Sequence, residues 1–239
     1  MKEESGLSPK MQQFNIDVTA YVKRKMLKKV LGSKTFIQGS TNSLLPFQNN
    51  ELSLGRVIGN GEFCNVQEVS NISIERHHVQ RNPSHADDEV CFKTNLNSDV
   101  ITTEKKLMES RLRNKTDEKY VIKCLKSTTK MHRSYFQRGL LDLMIETKAL
   151  SILSHPNIIK LRGFNKNSLY KHDYFIVLER LCYTLRDKMD EWKKPPPSKG
   201  FLRKMFERKN KVVVEATLKD KLSIFRDISS AISYMHSLR

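Results

Sequence analysis

The sequence predicts an α+β fold: a five-stranded antiparallel sheet with one helix, followed by further helices of a second region. Three observations carry this. Leu54–Val66 holds Gly59-Asn-Gly61 between apolar runs, the pattern of a strand, a tight turn and a strand. Lys119–Lys126 alternates so that both strand faces are apolar, and Arg133–Ser154 after it has helical apolar periodicity. Tyr174–Leu181 is a continuous apolar run of strand length, and Thr217–Leu238 repeats apolar residues at the spacing of one helix face.

Composition sets the class. The chain has 239 residues, long enough for one large or two small domains with a real core. Apolar residues make up 38% and charged residues 29%, a balance typical of a globular protein with polar insertions. No apolar run nears the ~18 residues of a membrane helix, and Met1-Lys-Glu-Glu-Ser5 has no secretory pattern. Cys64, Cys91, Cys124 and Cys182 lack metal-ligand spacing and read as reduced thiols, so a cytoplasmic or nuclear location is expected. Asn71-Ile-Ser73 and Asn114-Lys-Thr116 match the glycosylation pattern but carry no weight without a leader. The net charge of +17 is densest in Lys23–Lys34 and in Lys193–Lys211. Neither stretch has the signature of a helix-turn-helix, a zinc finger or an RNA-stacking module, so both read as solvated basic segments.

In chain order, residues 1–50 form an N-terminal extension. Asn15–Leu31 is a candidate basic amphipathic helix, and Gly39–Asn50 reads as a linker before a domain start near Glu51. The glycine hairpin follows. Glycines suit a turn where φ is positive or where backbone comes close to a ligand, and successive N–H groups there can face one anion. Residues 71–117 read as a long surface insertion, with a short helix over Glu104–Arg113. Its His77, His78, His85, Asp87, Asp88 and Glu89 match no familiar metal-ligand spacing, so no metal site is assigned.

The strand Lys119–Lys126 puts Val121, Lys123 and Leu125 on one face and Tyr120, Ile122 and Cys124 on the other. Lys123 therefore stands among apolar neighbours, where an ammonium needs an anionic partner unless it snorkels to water. The helix Arg133–Ser154 supplies a candidate: Leu143, Glu146, Leu150 and Leu153 share one stripe, and Glu146 is its charged member. Pairing the two relieves both, since an isolated buried charge is prohibitive. The competing reading puts Glu146 at the stripe's margin, in water. His155–Gly163 is a turn and a strand, Lys166–Asp173 a polar turn, Tyr174–Leu181 a strand and Leu185–Trp192 a helix. Pro195-Pro-Pro197 ends that helix and opens a basic loop, and Thr217 is a candidate cap for the last helix.

From about Glu51 to the last residue this order resembles the eukaryotic protein-kinase domain. Ile58-Gly-Asn-Gly-Glu-Phe-Cys-Asn-Val66 is similar to the kinase glycine-rich loop, Val121-Ile-Lys123 to its strand-lysine motif, and Glu146, nine residues before His155-Pro-Asn-Ile158, to its helix glutamate. Leu178-Glu-Arg-Leu181 resembles the gatekeeper and hinge, and Thr217–His236 the helix that leads to the catalytic loop. The resemblance implies a small lobe over 51–181, a partial large lobe over 182–239 with a basic insertion at 193–211, and transfer of phosphate from ATP to a Ser/Thr hydroxyl of a protein. It implies an ATP site of Ile58, Gly59, Asn60, Gly61, Glu62, Phe63, Cys64, Val66, Val121, Lys123, Glu146, Leu178, Glu179 and Leu181. In it Phe63 caps the loop tip, Val66 and Val121 lie over the adenine, Lys123 holds the α- and β-phosphates, and backbone of Glu179 and Leu181 meets the adenine edge. Leu150 and Leu161 match the family's hydrophobic spine. Cys64 stands where a third glycine is usual, and Val121 where alanine is commoner.

The base aspartate, the metal-binding asparagine and the Asp-Phe-Gly motif of the family do not occur before Arg239. The expectation is therefore a kinase fragment that keeps ATP contacts but is itself inactive, with Mg2+ ligands belonging to a longer parent. It is also expected to expose the apolar stripe of its last helix. Two alternatives remain open at this stage: a non-catalytic kinase-like nucleotide-binding or scaffold module, and a basic binder of nucleic acid or membrane surfaces.

Overall fold

The computed structural model describes residues 18, 20–25, 44–74, 96–114, 119–165, 171–193 and 203–238; within the last stretch, side chains are described from 218 onward. The chain divides into two compact units. One comprises residues up to Ser154 together with Ile159–Arg180; the other comprises His155–Ile158 and Leu181–Arg239.

The first unit is built on a six-stranded mixed sheet. Its strands are β1 (Leu45–Phe47), β2 (Leu52–Asn60), β3 (Cys64–Ile72), β4 (Tyr120–Leu125), β5 (Leu161–Asn165) and β6 (Phe175–Glu179), in the spatial order β1-β5-β6-β4-β3-β2. Helices α1 (Ser98–Arg113), α2 (Ser127–Met131) and α3 (Arg133–Ile152) belong to the same unit. The five expected strands are present, and each neighbouring pair among them is antiparallel. The expected count of five and the purely antiparallel sheet are corrected by β1, which pairs parallel to β5 through Leu45↔Gly163 and Phe47↔Asn165.

That strand lies inside the stretch read as a linker. The polar residues of Gly39–Asn50 hide a short apolar core, Leu44, Leu45 and Phe47, all of them buried. The domain thus starts before Glu51. Gly163 makes the docking possible: a Cβ there would lie 2.3 Å from the Leu45 carbonyl oxygen and 2.6 Å from Phe47 Cε2. A 3-10 turn, Asn49–Glu51, joins β1 to β2.

Both faces of the sheet are covered. On one, Cys64, Val121, Leu125, Leu161, Ile176 and Leu178 form a core with Phe136, Leu140, Leu143 and Met144 of α3. Val18 and Val22, from the helical residues of the N-terminal extension, are buried in this core too. On the other face, Phe47, Val69, Ile72, Tyr120, Ile122, Phe175 and Val177 pack with Met108 of α1.

Helix α1 corrects the reading of 71–117 as surface throughout, and it starts six residues before the short helix expected from Glu104. Ile101, Lys105, Met108 and Leu112 repeat at spacings of four, three and four, so one stripe faces the sheet. Asp99 in its first turn and Arg111 and Arg113 in its last complement the helix dipole. Lys105 is buried in that stripe because Glu51 is buried opposite: its Nζ lies 2.6 and 2.8 Å from the two carboxylate oxygens.

The second unit contains α4 (Leu185–Lys193) and α5 (Arg203–Ser237). Helix α5 begins fourteen residues before Thr217, which is therefore interior to the helix and not its cap, and residues 203–211 of the expected basic loop are helical. Lys, Arg, Glu and Met are good helix formers, so charge density there does not oppose a helix. Leu218, Leu222, Phe225, Ile228, Ile232 and Met235 are all exposed among the described residues. The histidine and acidic residues of 77–89, Cys91 and the proline run 195–197 lie outside the described residues.

Candidate nucleotide site

The candidate residues of the first unit are spread along β4, from the β2–β3 turn beside Leu125 to Glu179 opposite Tyr120. Strands β2 and β3 meet at a turn over Gly61–Phe63, where the Gly61 N–H donates to the Cys64 carbonyl at 2.9 Å. Gly59 pairs with Val66, and a Cβ on it would stand 3.1 Å from Val66 Cβ. Asn60 pairs with Asn65. Register shifts between Ser53 and Gly59 break the regular ladder of β2, and Ile58 is exposed.

Strand β4 runs beside β3 with Val66 opposite Lys123 and Cys64 opposite Leu125. The alternation along β4 puts Lys123 on the face toward α3. There its Nζ reaches Glu146 Oε2 at 2.6 Å, with side-chain exposures of 28% and 33%. The lysine keeps its partner, and the glutamate, a third exposed at the edge of its stripe, still meets the ammonium. A partly exposed pair on a rigid strand and a rigid helix holds an ammonium at a fixed place with some of its surface open to a ligand.

Further along β4, Val121 pairs with Leu178, and both are buried in the α3-side core. Glu179 is ion-paired with Arg162, and its N–H donates to the Lys160 carbonyl at 3.3 Å. Arg180 donates its N–H to the Lys119 carbonyl, while its guanidinium meets Glu68, which also holds Arg56. Leu181 belongs to the second unit, and Leu150 is partly buried against the core that contains Leu161.

Two residues sit otherwise than expected. Phe63 does not stand free as a cap on the loop tip; its ring is half-buried against α3, and its carbonyl accepts from the Lys126 N–H at 3.0 Å and the Thr129 hydroxyl at 2.9 Å. Cys64 faces the core. Burial pushes its thiol up to about 11, despite the opposing pull of the Lys123 ammonium nearby, so at neutral pH it is a protonated, unreactive side chain. Glu62 lies in the turn and is exposed.

Sequence reasoning treated His155-Pro-Asn-Ile158 only as a landmark. In the second unit His155 stacks on Tyr234 with ring centroids 5.2 Å apart and hydrogen-bonds Ser230 Oγ at 3.1 Å. The Asn157 N–H donates to His155 Nδ1, which leaves Nε2 as the donor to Ser230 in the neutral ring, and Asn157 Nδ2 donates to the Asp227 carbonyl. The signal was the density of side chains able to bond backbone in a four-residue turn.

Among the described residues, no three His, Cys, Asp or Glu side chains are grouped to hold a metal ion, and no helix is long and apolar enough to cross a membrane. No family model matches the chain, and no curated protein matches its sequence.

Proposed function

We propose that this chain binds ATP through a protein-kinase-like small lobe, the nucleotide-holding part of phosphoryl transfer to a protein Ser/Thr hydroxyl. The observation that carries the reading is the Lys123–Glu146 pair at 2.6 Å beside the glycine hairpin. Five antiparallel strands and α3 hold the glycine hairpin, the strand lysine and the helix glutamate in one unit, with the strand-lysine motif central and the glycine turn on its neighbour. In this reading Lys123 holds the α- and β-phosphates, Glu146 aims it, and Gly59 and Gly61 let hairpin backbone approach them. Val66 and Val121 contact the adenine, and Leu178 bounds its pocket. The backbone of Glu179 bonds its edge.

Phosphoryl transfer depends on positioning and charge stabilisation. Mg2+, arriving with the nucleotide, would neutralise phosphate charge. A base aspartate and the Asp-Phe-Gly motif do not occur among these 239 residues, so the residues here account for holding ATP and not for accepting the substrate's proton. The test is ATP binding by calorimetry with Lys123→Met beside the unsubstituted chain. Hydrogen bonds to a charged group are worth about 1.5–3 kcal/mol, so affinity should fall about 10–150-fold. Equal affinity in the two proteins overturns the reading.

A further inference from the structure

Gly139 lies in the interior of α3, where glycine is about 1 kcal/mol worse than alanine. The space around it explains its presence. A Cβ at 139 would lie 2.8 Å from Phe63 Cβ and 2.9 Å from Leu125 Cδ2. Leu125 could swing the end of its side chain aside. Phe63 could not, because the crowded atom is its own Cβ, next to a backbone held by Lys126 and Thr129. The Arg138 guanidinium lies 5.5 Å from the Phe63 ring centroid and the Tyr135 ring 6.1 Å away, so the aromatic side chain is gripped on several sides.

The position of the notch matters as much as its shape. Gly139 and Glu146 are seven residues apart, about two helical turns, so they share one face of α3 and stand about 10.5 Å apart along its axis. On β4 the matching residues, Leu125 and Lys123, are two apart on one face. The helix therefore meets the hairpin tip and the phosphate-holding lysine with the same surface.

We infer that Phe63, seated in the Gly139 notch, is a positioning residue of the nucleotide site: it fixes the glycine hairpin to the helix that carries Glu146, so that hairpin and ion pair take up the phosphates as one preset unit. The inference rests on the ATP-binding reading. It assigns to Phe63 an inward, tying role in place of a cap facing the ligand.

The test is a double-mutant cycle of Gly139→Ala and Phe63→Gly, read as affinity for ATP and for adenosine. Gly139→Ala improves helix propensity, so the fold has reason to survive it. It should weaken ATP about five- to tenfold, within the range of ordinary coupling between sites, while adenosine, which has no phosphates, binds as before. In the Phe63→Gly background, which removes the crowded Cβ as well as the ring, the same change should have no effect on ATP. Hydrogen exchange at the Lys126 amide should quicken in Gly139→Ala without any nucleotide. Unchanged ATP affinity in Gly139→Ala, or equal loss for ATP and adenosine, overturns the inference; if Lys123→Met still weakens ATP in that case, the ATP reading stands without it. If Lys123→Met binds ATP like the unsubstituted chain, both fall together.

Discussion

Lys105→Met tests whether the helix of the 71–117 region is integral to the first unit. Lys105 and Glu51 are 7% and 8% exposed, and the ammonium meets both carboxylate oxygens at 2.6 and 2.8 Å. It also lies 4.8 Å from the Phe47 ring centroid. Methionine keeps most of the lysine stem, so little cavity opens. What changes is that the Glu51 carboxylate stays buried with the Gln48 N–H, at 2.7 Å, and without its ammonium. Breaking a buried pair by removing one member costs about 3–5 kcal/mol. At about 2–4 °C per kcal/mol, the first unit should melt about 6–20 °C lower. Glu51→Gln retains an oxygen for the Gln48 N–H, so the double variant should recover at least about 1 kcal/mol of the loss, a non-additivity expected of touching residues. Scanning calorimetry of the four proteins gives both quantities. A drop below about 3 °C for Lys105→Met, or strictly additive effects, would refute the account of α1 as part of the core.

Two further outcomes follow from close contacts and burial. Gly163→Ala should expel β1, because the new Cβ meets a backbone oxygen rather than a flexible side chain; overpacking of this kind costs about 1–3 kcal/mol, and faster amide exchange at Leu45–Phe47 would register it. Exchange as slow as in the unsubstituted chain would refute the placement of β1. Cys64 has a folded value near 11, above the ordinary 9.0, so its contribution is fully present below pH 9 and is lost as pH rises toward 11. Denaturant unfolding should show stability falling across that window more steeply than in Cys64→Ala; identical slopes would count against the buried thiol.

Strong periodicity made much of the first unit legible in the sequence. The hairpin's apolar flanks, the apolar runs of β4 and β6 and the helical stripe of α3 each mark their element, and Lys123 and Glu146 announce each other as the charged members of two apolar surfaces. The same device went unread at Lys105. It breaks the stripe of α1 just as Glu146 breaks that of α3, but its partner lies in a turn 54 residues earlier, with no periodic segment to flag it. Strand β1 was illegible for a different reason. Three residues carry too little pattern, and what holds them is Gly163, over a hundred residues away. The long start of α5 is hidden because a charge-dense stretch has the composition of a loop, although lysine and arginine are good helix formers. The resemblance makes Phe63 a cap on the loop tip because nothing in the hairpin's own sequence reveals a notch in a helix.

The turn His155–Ile158 gives the molecule an unusual connectivity. The chain enters the second unit for four residues, returns to the first for β5 and β6, and leaves again after Arg180. Neither unit is thus one uninterrupted segment, and no single peptide-bond cleavage separates them cleanly. A piece ending at Arg180 would carry an imidazole and an amide stripped of Tyr234, Ser230 and Asp227. The complementary piece would keep α4 and α5 with the docking place of that tetrapeptide vacant, so each half retains an imprint of the other.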